Sequence, residues 1–161
     1  MTNQDHPRAF VVPPDGGTPL RGPVGGVTLL KAATESTGGS FTLLENHVPP
    51  LAGPPRHVHA REDEMWFVLE GDLRFRADEE ILHAPQGSFV FVPRGTEHCF
   101  QNVGAATARV LVMFTPSGME RFFEGHAALP DGPVDAEAYR KIAHDAWMTV
   151  VGPPLGESDP L

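Results

Sequence analysis

The sequence has very little cysteine and lysine, and each shortage excludes a class of protein. Cys99 is the only cysteine, so no disulfide can form within the chain. Lys31 and Lys141 are the only lysines, and the arginines are scattered along the chain. A nucleic-acid surface needs clustered basic residues, whereas the formal net charge here is −9. We therefore expect no nucleic-acid partner.

Long apolar runs are also missing. No apolar segment approaches the ~20 residues that a helix needs to cross a bilayer. The opening segment, MTNQDHPRAF, does not have the charged-then-apolar layout of a secretion signal. We therefore expect a soluble, cytoplasmic protein without a membrane partner.

Glycine and proline are abundant by contrast, at 17 residues each in a chain of 161. They separate short apolar runs without a fixed period, which is typical of an all-β protein with many tight turns. Hydrophobic residues make up 40% of the chain, enough for one core, and the length fits one domain.

The order of these runs predicts a β domain followed by helices. Short predicted strands alternate with turns through the middle of the chain, and their spacing favours a sandwich or barrel. The pattern then changes to helical spacing before a second region rich in glycine and proline. The expected division is an N-terminal arm at 1–23, a β-barrel at 24–115, a C-terminal helical extension at 116–151 and a tail at 152–161.

Two amphipathic helices are predicted in the C-terminal extension. Ser117 and Glu120 have the S-x-x-E spacing of a capping box, which favours a helix start at that point. Asp135 can cap the second helix. The apolar stripes that follow these caps predict packing of both helices on the β domain rather than a ligand site.

Four side chains in the middle of the sequence form a suitable ligand set for a metal ion. His57 and His59 lie two residues apart in a predicted strand, so both point to the same face. Glu64 follows after a short polar segment and begins the apolar run MWFVL, and His98 begins a later strand. Three imidazoles and one carboxylate suit a mononuclear site.

A site with these ligands suits one divalent transition metal per chain. Six-coordinate geometry would leave two positions for a small-molecule substrate, or for a substrate and dioxygen. The ligand types do not distinguish Fe, Mn, Ni, Co, Cu or Zn, because sites of this composition accept several of these ions.

The spacing of these residues resembles the two signature motifs of the cupin superfamily. The first, H-x-H-x4-E-x6-G, runs from His57 to Gly71, although Gly53 lies closer to His57 than the opening glycine of the pattern requires. The second, G-x5-P-x-G-x2-H-x3-N, runs from Gly87 to Asn102 and matches at every position. Both motifs occur in the order that the family has.

The resemblance implies a cupin jelly-roll barrel, also called a double-stranded β-helix, that carries two C-terminal α-helices. It implies a metal ion held inside the barrel by His57, His59, Glu64 and His98. If the ligands point inward, side chains on the same strand faces line a small-molecule pocket. The residues expected there are Trp66, Phe100, Met113 and Phe91.

Several neighbouring residues have alternative interpretations. The family spacing allows Asp63 or Glu64 as the acidic ligand, and Glu64 is preferred because it begins the apolar strand. Trp66 and Phe100 fit either a pocket wall or the core. Cys99 is interpreted as a small core residue. The remaining histidines are interpreted as structural or surface residues, with His47 the strongest exception because it precedes the first motif.

Within the cupins, the chain most resembles single-domain bacterial proteins of the quercetin 2,3-dioxygenase type. The matching features are the segments REDE at 61–64 and FVPRGTEH at 91–98, and the helical extension that ends in VGPPL. The resemblance implies an oxidoreductase that cleaves a flavonol-like or other enolic aromatic substrate with dioxygen, with Glu64 as the catalytic base. It also implies a homodimer.

Two other functions remain open at this stage. One is cyclisation or isomerisation of a polyketide-like or enolisable molecule without dioxygen. The other is binding of a metal or small molecule without catalysis. The cupin fold serves all three classes, so the fold alone does not choose among them.

Overall fold

The computed structural model describes residues 6–161 and shows two antiparallel β-sheets. The prediction of an all-β jelly-roll fold is confirmed. The larger sheet has six strands, in the spatial order β1 (Thr18–Arg21), β2 (Val27–Ala32), β3 (Thr42–Val48), β10 (Ala108–Thr115), β5 (Asp63–Glu70) and β8 (Phe89–Val92). The smaller sheet has five, in the order β11 (Met148–Pro154), β4 (Pro55–His59), β9 (His98–Asn102), β6 (Asp72–Ala77) and β7 (Glu80–Pro85).

Buried and more exposed side chains alternate strictly along the central strands, and the buried ones form the core between the sheets. In β10 the even-numbered residues from Ala108 to Phe114 are buried, and the odd-numbered residues between them are not. In β5, Glu64, Trp66 and Val68 are buried in the same way. Each strand therefore gives one face to the interior, as period-two patterning predicts.

The structure contains four helices within the described residues, two more than predicted. The two predicted helices are present as α2 (Glu120–Ala127) and α3 (Ala136–Asp145). The other two, α1 (Thr34–Thr37) and α4 (Leu155–Ser158), are single turns. A single turn is too short to show a 3.6-residue apolar period, so periodicity does not predict either helix. No helix among residues 6–161 is long and apolar enough to span a membrane.

One predicted helix cap is confirmed and the other is wrong. The side chain of Asp135 accepts a hydrogen bond of 3.0 Å from the backbone N–H of Ala138 at the start of α3. Helix α2 begins at Glu120 without a side-chain cap. The carboxylate of Glu120 instead accepts hydrogen bonds from the hydroxyls of Thr34 and Thr42. Tertiary contacts thus replace the local capping box.

The ends of the chain contribute strands to the sheets. Strand β1 lies within the expected N-terminal arm and pairs with β2. Strand β11 runs from the expected extension into the expected tail and pairs with β4, with Val150 opposite His57. Both strands cover a sheet edge that would otherwise expose unpaired backbone groups. The β domain consequently uses residues beyond 24–115.

Candidate metal centre

Four ligand-type side chains converge between the two sheets. His57 in β4 and His98 in β9 are direct cross-strand partners. His59 follows in β4, and Glu64 comes from β5 in the other sheet. One ligand atom from each of the four side chains lies within 4.8 Å of the others. All four side chains are buried, with exposed fractions of 6% or less. The cluster can therefore hold one metal ion.

The imidazole rings are oriented so that their Nε2 atoms face the carboxylate. His57 Nδ1 lies 2.7 Å from the carbonyl oxygen of Pro55, and His98 Nδ1 lies 2.9 Å from that of Thr96. A carbonyl oxygen only accepts, so Nδ1 carries the proton in both rings. His98 Nε2 and His59 Nε2 lie 2.8 Å and 2.9 Å from Glu64 Oε2. In His57 this tautomer leaves the Nε2 lone pair free for a metal ion. In His98 the ionised carboxylate of Glu64 accepts a hydrogen bond from Nε2–H, and a metal ion would displace that proton.

The charges within the cluster suit metal binding. Burial raises the pKa of Glu64, but His59 and His98 outweigh burial and lower it to about 2, so the carboxylate is ionised. Burial, followed by the neighbouring His98 and His59, lowers the pKa of His57 well below its ordinary value. A metal ion requires an ionised carboxylate and neutral imidazoles, and these two side chains already meet that requirement.

A small apolar cavity lies above the cluster. Its volume is about 40 Å³, which is room for about three water molecules at 10–15 Å³ each. Phe100 and Phe114 line it from the sheets, and Phe122 and Phe123 from α2. Tyr139 lines it from α3. We call α2 and α3 together the helical lid, because both contribute lining residues to the cavity beside the cluster.

The four predicted pocket residues have different positions. Phe100 lines the cavity. Trp66 is buried behind it, with its ring centroid 5.7 Å from that of His98 and 6.3 Å from that of Phe100. The prediction for Phe91 and Met113 is wrong. Phe91 is 52% exposed, and both residues occupy the outward positions of β8 and β10. Phe114, next to Met113, takes the inward position.

The sequence interpretation missed the contribution of the helical lid to the cavity. The apolar stripes of α2 and α3 were assigned to packing, and both helices do pack on the barrel. Phe123 contacts Phe114, with ring centroids 6.0 Å apart, and Phe122 contacts Tyr139 at 5.4 Å. A tyrosine within an otherwise apolar helix stripe was the available signal, since a buried phenol needs a hydrogen-bond partner.

Other candidate residues lie outside the cluster. The imidazole of His47 is half-buried and contacts Glu45 at 3.1 Å. Asp63 is paired with Arg94 through two contacts of about 3 Å, so it faces away from the cluster. Cys99 is fully buried, as expected of a small core residue.

The fold and the site define a jelly-roll protein with a candidate metal centre inside the barrel. Residues 45–114 match the family model described as a cupin domain. The match covers less than half of the chain, and together with the fold it shows that this chain is similar to the cupins.

One sequence relative is the tetracenomycin polyketide synthase protein TcmJ of Streptomyces glaucescens. The two are 28% identical over 93 residues, which is 57% of this chain and 62% of the relative. The chain thus spans less than two thirds of that relative's length. An uncharacterized protein of Streptomyces coelicolor is 36% identical over 55 residues, or 34% of this chain and 51% of the relative.

Solved structures support the fold. An RmlC-like cupin from Shewanella frigidimarina has a TM-score of 0.59 at 16% identity and covers 72% of this chain and 97% of its own. A predicted oxalate decarboxylase from Thermotoga maritima has a TM-score of 0.56 at 21% identity, with coverages of 66% and 99%. At these identities the likeness shows the fold alone.

Proposed function

We propose that the chain is a metal-dependent enzyme that converts an enolic or enolisable small molecule. His57, His59, Glu64 and His98 would hold one divalent transition metal. The observation that carries this proposal is the convergence of these four ligand atoms within 4.8 Å of one another beside a small, mainly apolar cavity. The metal would supply Lewis acidity at that point.

The side chains around the cavity have distinct parts in this proposal. Phe100 and Phe114 keep bulk water away, which strengthens electrostatic interactions inside the cavity. Tyr139 lines the cavity, and its hydroxyl would donate a hydrogen bond to a substrate oxygen. Burial and the nearby Glu64 raise the pKa of Tyr139, so the phenol keeps its proton at neutral pH.

Glu64 is the proposed base, and its environment limits when it can act. A carboxylate with a pKa of about 2 is a weak proton acceptor. To take the substrate proton, Glu64 must leave the contacts of 2.8–2.9 Å that it makes with His98 and His59. A movement of this side chain as substrate enters is therefore part of the proposal.

Our first candidate reaction is dioxygenation of an enolic aromatic substrate. The aromatic lining of the cavity supports a substrate with an apolar ring system. The size of the cavity limits which ring system it can hold. At about 40 Å³ it is far below the roughly 300 Å³ or more of a typical ligand pocket. A three-ring flavonol therefore requires the helical lid to move outward, whereas a small enol fits with less movement.

The second candidate is cyclisation or isomerisation of a polyketide-like or enolisable molecule without dioxygen. The specific observation in its favour is the similarity to the TcmJ protein, whose name places it in a polyketide synthase. The same base and the same phenol would serve. Enolisation removes one proton from the carbon next to a carbonyl group, which the base would take, and places negative charge on the carbonyl oxygen, to which the phenol would donate a hydrogen bond.

The test combines elemental analysis of the purified protein with an oxygen-uptake screen. The screen compares flavonols, single-ring catechols and polyketide-like enols, each with and without oxygen. Turnover that stops in the absence of oxygen supports the dioxygenase. Turnover that continues supports the cyclase or isomerase. Tight ligand binding without product from any compound contradicts both reactions and indicates a binding protein.

A further inference from the structure

Glu62 is a buried carboxylate that the proposed chemistry does not use. It lies in the turn between β4 and β5 and is only 2% exposed. Its Oε2 atom is buried and has no hydrogen-bond partner among residues 6–161. The side chain of Arg61 approaches only to 3.9 Å and is itself 43% exposed. A buried, unpaired carboxylate is costly, so a partner is expected.

His59 is a buried imidazole whose Nδ1–H lacks a hydrogen-bond acceptor within residues 6–161. The other two imidazoles of the cluster each give their Nδ1–H to a backbone carbonyl, those of Pro55 and Thr96. Nδ1 of His59 is buried and has no such partner among the described residues. The Nε2 atom of His59 lies 2.9 Å from Oε2 of Glu64, but it too has no hydrogen-bond partner in this part of the chain. An Nε2 free for a metal ion leaves Nδ1–H as an unmatched donor.

The donor and the acceptor lie on either side of one turn. His59 ends β4, and Glu62 follows three residues later, directly before β5. Both side chains are only 2% exposed, so neither group can find its partner in bulk solvent. Gly118, at the start of the extension, packs against Glu62: a Cβ added there would lie 3.8 Å from Oε1.

We propose that Glu62 is the positioning residue for His59. Its carboxylate accepts the Nδ1–H of His59 through one bridging water, because neither atom has a direct partner in the described part of the protein. This contact fixes the tautomer and ring plane that present Nε2 to the metal. The inference rests on the proposed metal centre. Such an outer carboxylate raises the basicity of a ligand imidazole, and its removal typically costs 10–100-fold in metal affinity.

The sequence supplies a matched control beside Glu62. Asp63 is also acidic and also adjoins Glu64, but its carboxylate pairs with Arg94 at the surface. Asp63→Asn therefore removes one negative charge from the same turn without touching His59. A general loss of negative charge near the site would affect both variants, whereas loss of the His59 partner affects only the Glu62 variants.

The first measurement is Zn²⁺ affinity by competition with a chromogenic chelator. We expect Glu62→Ala to bind Zn²⁺ about 10–100-fold more weakly than the wild type. Glu62→Gln should lose less, because its amide oxygen still accepts a hydrogen bond. Asp63→Asn should match the wild type. Equal affinity in Glu62→Ala and wild type overturns the inference. A wild type that binds no Zn²⁺ overturns the metal centre itself, and the inference with it.

The second measurement separates positioning from a merely structural role. NMR of the Zn²⁺-loaded protein with ¹⁵N-labelled histidine reports the Nδ1–H group of each ligand ring. In Glu62→Gln and Glu62→Ala, the His59 resonance should shift or broaden while those of His57 and His98 stay in place. Weaker Zn²⁺ binding with an unchanged His59 resonance contradicts the proposal. Because Glu62→Gln preserves size and hydrogen bonding, it keeps the test valid if Glu62→Ala does not fold.

Discussion

At the scale of single residues, burial decides what each ionisable group does. Glu64, Glu62 and Glu120 are all nearly inaccessible to solvent, yet they have different partners. Glu64 faces imidazoles, Glu120 accepts hydroxyl and N–H donors, and Glu62 has an oxygen without a partner. A buried carboxylate is stable only with such partners. Because the three carboxylates have different partners, we expect replacement of each one to have a different effect.

Removal of a ligand imidazole should abolish metal retention without unfolding the barrel. We expect His57→Ala and His98→Ala to be purified with little or no metal, because each loses one of the four ligands. Elemental analysis measures this, and circular dichroism checks the fold. His47→Ala is the matched control, since His47 lies outside the cluster. Full metal occupancy in both ligand variants would be incompatible with the site.

Replacement of Glu120 should destabilise the protein in a pH-dependent way. Burial raises the pKa of Glu120, but hydrogen bonds from Thr34 and Thr42 outweigh burial and lower it below 4.5. A depressed pKa in the folded state adds stability above the unfolded value, and that stability is lost as pH falls through the folded value. Glu120→Gln should therefore cost about 1–3 kcal/mol at pH 7 and less near pH 3.

Urea unfolding of wild type and Glu120→Gln at both pH values measures this difference. Glu35→Gln is the control, because Glu35 is a solvent-facing acid on α1 rather than a buried one. A difference that stays constant between pH 7 and pH 3 would show that the lost stability does not come from the ionised carboxylate.

At the scale of elements, strand β1 is bonded to the segment that follows α2 in the helical lid. Arg21, the last residue of β1, donates to the carbonyl oxygens of Leu129 and Pro130 at 2.7 Å and 3.2 Å. It also pairs with Asp131 at 2.9 Å. These acceptors lie just beyond the end of α2. The N-terminal strand therefore holds the lid over the cavity.

Loss of this contact should loosen the helical lid and leave the barrel intact. We expect Arg21→Ala to speed amide hydrogen exchange in α2 and α3, while amides of β5 and β10 exchange as in the wild type. The physical reason is that local opening requires only the contacts of the lid to break. Arg8→Ala serves as a control on an exposed arginine. Equal acceleration in β10 would indicate global destabilisation rather than local opening.

At the scale of the whole molecule, the outer face of the six-stranded sheet is unusually apolar. One row of cross-strand neighbours joins Leu43, Met113, Met65 and Phe91. The adjacent row joins Leu111, Phe67 and Phe89. The three phenylalanines are 43–64% exposed. Contiguous apolar surface of this kind is typical of an interaction site, and we propose that it forms the interface of the homodimer that the family resemblance implies.

A charge placed in these rows should dissociate the proposed dimer. We expect Phe91→Glu to be a monomer where the wild type is a dimer, because an isolated carboxylate would be buried in the interface. Sedimentation equilibrium measures the mass. Phe10→Glu is the matched control, since Phe10 is similarly exposed at 51% but lies outside the sheets. A wild type that is monomeric at every concentration would rule out the dimer.

The sequence by itself determined which residues share a strand face with the metal-ligand candidates. The two-residue spacing of His57 and His59 puts their side chains on the same face of a strand. Side chains alternate between the two faces, so Trp66 shares a face with Glu64 and Phe100 shares a face with His98, and both are buried. Strands β8 and β10 contain no ligand candidate. Alternation along them shows which residues lie together but not which face turns inward, and for this reason Phe91 and Met113 were misplaced.

Only the tertiary structure decided how the barrel closes. The burial of Glu62, the position of Tyr139 and the cavity volume of about 40 Å³ all depend on contacts between segments far apart in the chain. A local pattern reports the period of an element, whereas the inward face and the space left inside depend on how the sheets and the helical lid pack. The sequence thus determined the candidate ligands, and the packing determined what can reach them.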